Sequence, residues 1–231
     1  QEPARTLLCL YGCDADAELL EVFEQSALAQ WLRQRSDCAL MQVWAGGHER
    51  AALVGQRLTL PVPEDYAQLS RKTWRMVRYC SRHLRFEQLI KLDLTCVRQR
   101  WEGAAYAGRQ PLDLNALQAY LETRLNKPLP QADLANPHYD GFLRHSHPRR
   151  ADVEAWGARK GARLQLERIW PEGQDPPGFF SGKCYAISAA LAQFIGREGR
   201  AMAVEHRRHL HGAEDLMVAR LAMAFAAQQH R

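Results

Sequence analysis

The chain has 231 residues, 46% of them apolar, which is enough to bury one sizeable core. No run approaches the roughly 18 consecutive apolar residues of a membrane-spanning helix, because Arg, Glu or Gln interrupts each long helical pattern, so no transmembrane segment is expected. A net charge of +5 and a pI near 9.0 favour an anionic ligand, yet the only basic clusters are the short His147-Pro148-Arg149-Arg150 and Arg207-Arg208, and no aromatics interleave with them, which argues against a nucleic-acid partner.

Leu7-Leu8-Cys9-Leu10-Tyr11-Gly12 is an apolar run closed by glycine and reads as a strand. Asp14 or Asp16 then caps a helix expected to reach about Arg35, with Leu19, Leu20, Phe23, Leu28, Trp31 and Leu32 at helical spacing. Cys38 to Trp44 reads as a second strand, ended by Gly46-Gly47. Strand, helix and strand in that order make a βαβ unit, which implies a parallel sheet.

From Tyr66 to about Cys80, the residues Leu69, Thr73, Val77 and Cys80 share one helical face, leaving Arg71, Arg75 and Arg78 to point elsewhere. Leu89 to Val97 alternates with period two, so Ile90, Leu92, Leu94 and Cys96 fall on one face and Lys91, Asp93 and Thr95 on the other. A carboxylate in so apolar a strand is costly unless paired, and Asp93 is therefore expected near the strand's C-terminal end, where α/β proteins bind ligands. Asp113 caps a helix with Leu114, Leu117, Leu121 and Leu125 on its buried side, stopped by Asn126-Lys127-Pro128. The polar stretch from there to about Arg150 suits a loop facing an acceptor, or an ordinary solvated excursion. Pro171 to Gly182 is rich in Pro and Gly and leads into a strand at Cys184-Tyr185-Ala186-Ile187 and a helix capped by Ser188. The last helix starts near Glu214 and carries Leu216, Val218, Leu221 and Phe225. No repeat or linker divides the chain, so residues 1–231 read as a single domain.

The six cysteines are scattered among apolar neighbours, as small buried thiols are, and Cys9 and Cys13 have no second pair at zinc-site spacing. Two histidine groups, His138, His145 and His147, and His206, His209 and His211, fit no metal-protease or zinc-deaminase pattern and are expected to be surface or loop residues. The expected location is cytoplasmic or membrane-peripheral; the sequence begins at Gln1, so processing or an anchor ahead of it stays open.

Four segments, in order, resemble landmarks of the β-1,3-galactosyltransferase and Fringe family of glycosyltransferases. They are Asp65-Tyr66-Ala67-Gln68-Leu69-Ser70-Arg71-Lys72-Thr73, Lys91-Leu92-Asp93-Leu94-Thr95-Cys96-Val97, Phe180-Ser181-Gly182-Lys183-Cys184-Tyr185-Ala186-Ile187-Ser188 and Gly212-Ala213-Glu214-Asp215-Leu216-Met217-Val218, spanning roughly residues 64 to 222. The resemblance implies an α/β domain of the GT-A type, with a mixed, mostly parallel central sheet flanked by helices. It also implies inverting transfer of a sugar from a nucleotide-diphosphate donor, a uridine-diphosphate sugar foremost, to a glycan or glycolipid acceptor in surface polysaccharide or lipopolysaccharide assembly. Asp215 takes the place of the family's catalytic base in the first turn of a helix, whose dipole keeps a carboxylate ionised. Donor binding falls to Asp93, Thr95, Lys72, Lys91, Gly182, Lys183 and Glu214.

The family holds a divalent metal, manganese or magnesium, at an acidic triplet. Here Asp93 keeps the first acid while Leu94 and Thr95 replace the others, and a threonine hydroxyl is a weaker ligand for a hard cation than a carboxylate. Metal binding at Asp93 then competes with direct neutralisation of the diphosphate by Lys72, Lys91 or Lys183. The second functional reading is a protein of the same fold that binds a nucleotide sugar or glycan without turning it over.

Overall fold

The computed structural model describes residues 4–46, 49–98, 112–131 and 136–229. Its strands in chain order are β1 (Thr6–Tyr11), β2 (Cys38–Gly46), β3 (Ala52–Val54), β4 (Arg57–Pro61), β5 (Gln88–Asp93), β6 (Tyr139–Gly141), β7 (Arg144–His145), β8 (Phe179–Phe180) and β9 (Cys184–Ser188). The helices are α1 (Ala17–Gln25), α2 (Ala27–Arg33), α3 (Leu69–His83), α4 (Leu114–Asn126), α5 (Arg150–Arg159), α6 (Ala189–His209) and α7 (Glu214–Gln229). Gly47 and part of the polar stretch after Pro128 lie outside the described residues.

Strand β1 is buried along its whole length, so its continuous apolar run covers both faces of a sheet. It pairs in parallel with β2 on one side and β5 on the other, with Tyr11 opposite Val43 and Asp93. The seven-stranded order is β3-β4-β2-β1-β5-β9-β6; β4 continues the parallel set, while β3 and β9 run antiparallel to their neighbours. The α/β architecture with a mixed, mostly parallel sheet flanked by helices is thus as expected. The chain runs outward from β1 to β2 and β4, then crosses to β5 on the far side of β1. Connections leave β1 and β5 in opposite directions there, which opens a crevice at their C-terminal ends.

Side-chain alternation divides the core in two. Leu8, Leu10, Ile90 and Leu92 meet Phe23, Leu28 and Leu32 of α1 and α2 and Leu117, Leu121 and Leu125 of α4. Cys9, Met41, Val43 and Leu89 meet Met76, Val77 and Cys80 of α3, Ile195 of α6 and Val218 and Leu221 of α7. Each such Leu, Ile or Val contributes about 1.5–3 kcal/mol through burial, so the sheet is held chiefly by these two layers. All six cysteines are free.

Several elements differ from expectation. The first helix breaks at Ser26, which is extended (φ −71°, ψ 152°) and whose Oγ accepts the Ala29 N–H at 3.1 Å, making it the N-cap of a separate α2. Asp16 stands at the N-cap position of α1, as one of the two expected caps, but its carboxylate turns back to accept the Cys13 N–H at 3.1 Å and makes no cap bond to α1. The strand expected over residues 89–97 stops at Asp93, because the Asp93 carboxylate accepts the Thr95 N–H at 2.9 Å and turns Leu94–Val97 into a 3-10 helix. Leu94 and Cys96 still join the core layer of Ile90 and Leu92, so the alternation named the correct neighbours. Leu114, expected on the buried side of α4, is exposed, since the helix turns only Leu117, Leu121 and Leu125 inward. Strands β3 and β4 and helix α5 had no expectation.

The break at Ser26 gives a test with opposite signs. Ser26→Ala is expected to lower stability by about 1 kcal/mol in urea unfolding, with Asn at the same position recovering most of the loss. One unbroken helix through residue 26 would instead gain from alanine.

Candidate functional site

The crevice at the C-terminal ends of β1 and β5 widens into a cleft of 530 Å³. Asp93, Thr95, Gly182, Lys183, Glu214 and Asp215 all line it, so six of the eight residues expected to form a site converge from three distant segments. The remaining two, Lys72 and Lys91, lie beneath its floor.

Lys91 is 2% exposed. Its Nζ lies 2.8 Å from Glu214 Oε1 and 3.7 Å from Asp93 Oδ2, and it donates to the Gly182 carbonyl. The Tyr11 ring centroid is 4.5 Å from the same ammonium. Burial alone would discharge this lysine, but Glu214 and then Asp93 outweigh it and raise its pKa above the ordinary lysine value. Gly182 is required by this arrangement: a Cβ there would collide with Glu214 Oε1, the oxygen that holds Lys91.

Asp215 follows Glu214 at the start of α7, and its carboxylate accepts the Leu216 N–H at 2.9 Å and the Gly182 N–H at 3.4 Å. Its pKa is nevertheless raised to about 7, first by burial and next by the adjacent Glu214 carboxylate, against the opposing pull of those N–H groups and Lys91. The expectation that a helix N-terminus keeps Asp215 firmly ionised is therefore corrected. Burial beside a like charge outweighs the helix dipole, and the group is poised to exchange a proton near neutral pH.

At the end of β5, Asp93 Oδ1 accepts from the Thr95 N–H and, at 2.5 Å, from the Thr95 hydroxyl. Lys183 Nζ donates to Thr95 Oγ1. Burial would raise the Asp93 pKa, but Lys91, Lys183 and Thr95 outweigh it and hold the carboxyl below the usual range. One carboxylate between two ammonium groups, with one of its oxygens committed to Thr95, does not fit a hard divalent cation, which favours several anionic oxygens and repels ammonium neighbours. Among the described residues no cluster of three His, Cys, Asp or Glu has the geometry to hold a metal.

Lys72 is also buried. Its Nζ donates to the Gly12 carbonyl at 2.5 Å and to Glu64 Oε1 at 3.1 Å, fastening the start of α3 to the end of β1. Burial lowers its pKa, and Glu64 only partly restores it.

The histidine groups separate. His206 is fully buried, not a surface residue: its Nδ1–H donates to the Ala213 carbonyl at 2.9 Å, and its Nε2 accepts from Arg220 at 2.9 Å. Burial drives its pKa to about 3, so it is a neutral structural group that ties α6 to the start of α7. His145 and His147 line the cleft, whereas His138 binds the Ser188 hydroxyl at 2.8 Å on the far side of β9. Sequence reasoning missed the outer wall, where Trp156 and Lys160 face Tyr66 with ring centroids 6.3 Å apart and the Lys160 ammonium 4.4 Å from the tyrosine ring. The W-x-x-x-K spacing on α5 places both on one helix face and was the available signal.

No protein-family model matches the chain, and no curated protein matches it.

The ion pair under the floor has a measurable cost of removal. Lys91→Met leaves Glu214 buried without its counter-charge and is expected to cost about 3–5 kcal/mol in urea unfolding, while Lys91→Met combined with Glu214→Leu recovers much of it. Asp215 gives a second test. A carboxyl with a raised folded-state pKa stabilises at acid pH and loses that contribution as pH rises through about 7. Asp215→Asn, which removes the titration, is therefore expected to raise the melting temperature more at pH 8.5 than at pH 5.5.

Proposed function

We propose that this chain is an inverting glycosyltransferase of the GT-A type that uses a nucleotide-diphosphate sugar, with Asp215 as general base. The observation that carries this reading is a carboxyl with a pKa of about 7 facing a 530 Å³ cleft at the sheet's switch point, which Asp93, Thr95 and Lys183 also line. The four family-like segments supply the chemistry that such a pairing would serve.

In this reaction the Asp215 carboxylate takes the proton of an acceptor hydroxyl as its oxygen bonds to the anomeric carbon. The bond from that carbon to the donor phosphate breaks, and its electron pair leaves with the nucleoside diphosphate. Lys183, which also lines the cleft, neutralises the charge that develops on the leaving group. Lys91 does not touch the donor in this scheme. It holds Glu214 and the Gly182 carbonyl and thereby positions the loop that carries Lys183. Trp156, which lines the cleft at its outer rim, is an apolar ring of the kind against which a sugar packs, which suits a glycan or glycolipid acceptor.

The reading is tested by incubating the full chain with uridine-diphosphate sugars and an acceptor panel and measuring uridine-diphosphate release. Asp215→Asn is expected to reduce kcat by 100-fold or more, on the order of what general bases contribute, with donor affinity retained. The kcat/KM of the parent chain is expected to rise with pH to a plateau above about 7, the pKa of Asp215. Chelation with EDTA is expected to leave donor binding intact, because Lys183 and not a metal meets the diphosphate. Tight donor binding with no release across the panel would replace this reading with that of a non-catalytic nucleotide-sugar or glycan-binding protein.

A further inference from the structure

A second concavity of 430 Å³ lies away from the cleft, between α3, α6 and the β3–β4 edge of the sheet. Arg71, Arg75, Arg78 and Arg82 line it from α3 and Arg200 from α6. The four on α3 follow the spacing i, i+4, i+7, i+11, which draws them into one stripe about 16 Å long at 1.5 Å per residue.

Surface arginines are ordinarily interleaved with acids; this stripe is not. None of the five has a carboxylate partner among the described residues. The neighbouring acids on α6 are committed elsewhere, Glu198 to Arg197 at 3.8 Å and Glu205 to Arg220 at 2.7 Å. Arg71 has only a neutral partner, Gln68 Oε1 at 3.0 Å. Arg75 is lowered in pKa by burial and then by Arg71, Arg200 and Arg78, a sign that its surroundings lack negative charge.

The floor of the groove holds a second, independent feature. Trp74 is 93% buried there, and its indole N–H has no acceptor among the described residues, nor has the Arg75 Nε–H. Arg75 and Arg78 lie against its ring, with their guanidinium carbons 5.8 and 5.4 Å from the centroid. The site is built by close approach of two helices: a Cβ at Gly199 would meet Trp74 at 3.0 Å, and one at Gly196 would meet Ser81 Oγ at 2.8 Å. Convergent cationic forks with unused N–H donors in a concave site match the oxygens of phosphate groups.

We propose that this groove is a second anion site that binds a ligand carrying two or more phosphate groups, either as a free oligophosphate or as a phosphate-bearing lipid headgroup. The length of the stripe selects against a single phosphate. Tyr79 is half-buried and tilted against His83 with centroids 4.7 Å apart, and Trp74 is buried, so among the described residues lining the groove no row of open aromatic faces for nucleic-acid bases accompanies the charge.

The test titrates inorganic tripolyphosphate into the full chain and into Arg75→Gln/Arg78→Gln by calorimetry. In parallel, both proteins are sedimented with phosphatidylcholine vesicles with and without phosphatidic acid. Melting temperatures of parent and variant are matched first, so that a loss of binding is not a loss of fold. Binding about tenfold or more weaker in the double variant, and unchanged in Lys183→Ala, is expected for the groove. If only tripolyphosphate shows this loss, the source is a free oligophosphate. Arginine-dependent sedimentation with phosphatidic acid vesicles identifies a lipid headgroup. Binding that survives in the double variant but is lost in Lys183→Ala would assign the anion to the cleft and overturn the proposal. Absence of arginine-dependent binding in both arms would also overturn it, as would tighter binding of a DNA oligonucleotide through the same arginines.

Discussion

Placing the Lys91 ammonium at 2% exposure inside β5 obliges the fold to bring acceptors to it, and the acceptors come from far along the chain. Glu214 arrives at the start of α7, Asp93 two residues on in the same strand, and the Gly182 carbonyl from the turn before β9. An isolated buried ammonium would cost several kcal/mol, so these contacts are satisfied together or the strand cannot stay where the apolar layers put it. The antiparallel insertion of β9 beside β5 answers this need, because it delivers Gly182 and Lys183 to the C-terminal end of a parallel strand.

The same arrangement sets the character of Asp215. Glu214 takes the shorter of the two carboxylate contacts with Lys91, and Asp215 is left beside it. Its pKa rises first through burial and then through the neighbouring Glu214 carboxylate, while the Leu216 and Gly182 N–H groups and Lys91 keep the rise from going further. The fold disfavours the ionised form of Asp215, which predominates only above about pH 7. Two adjacent acids in a helix's first turn thus have separate roles fixed by which one reaches the lysine.

Much of the sheet was legible in the residues because β1 is buried on both faces and reads as one apolar run, while β5 shows a period of two, with Ile90 and Leu92 alternating with Lys91 and Asp93. The end of β5 was not legible, since Leu94 and Cys96 keep the alternating pattern into a 3-10 helix that one carboxylate hydrogen bond at Asp93 creates. Strands β3 and β4 and helix α5 are short or largely solvent-facing, and they carry too few inward residues to show a period. For the site, six residues could be named because they sit in segments with family-like order. The direction of the Asp215 pKa shift could not be derived in the same way, as it depends on burial and on the side-chain orientation of Glu214. His206 shows the same limit: nothing in its local sequence reveals that Ala213 and Arg220 will fix its tautomer.

The excess of 31 basic over 26 acidic residues reads as diffuse in the sequence and is not diffuse in the fold. Lys91 meets Glu214 and Asp93, and Lys72 meets Glu64, so the floor of the cleft and the ground beneath it are nearly balanced. One cluster of arginines without ion-pair partners among the described residues lies on the α3 stripe, where the i, i+4, i+7 spacing gathers arginines that are three to four residues apart in the chain. A helix face can hold like charges together only because the opposite face pays in burial, and α3 does so through Met76, Val77 and Cys80 against the sheet. The core contacts that secure α3 therefore also maintain a concentrated positive field on its outer side, separate from the balanced chemistry of the cleft.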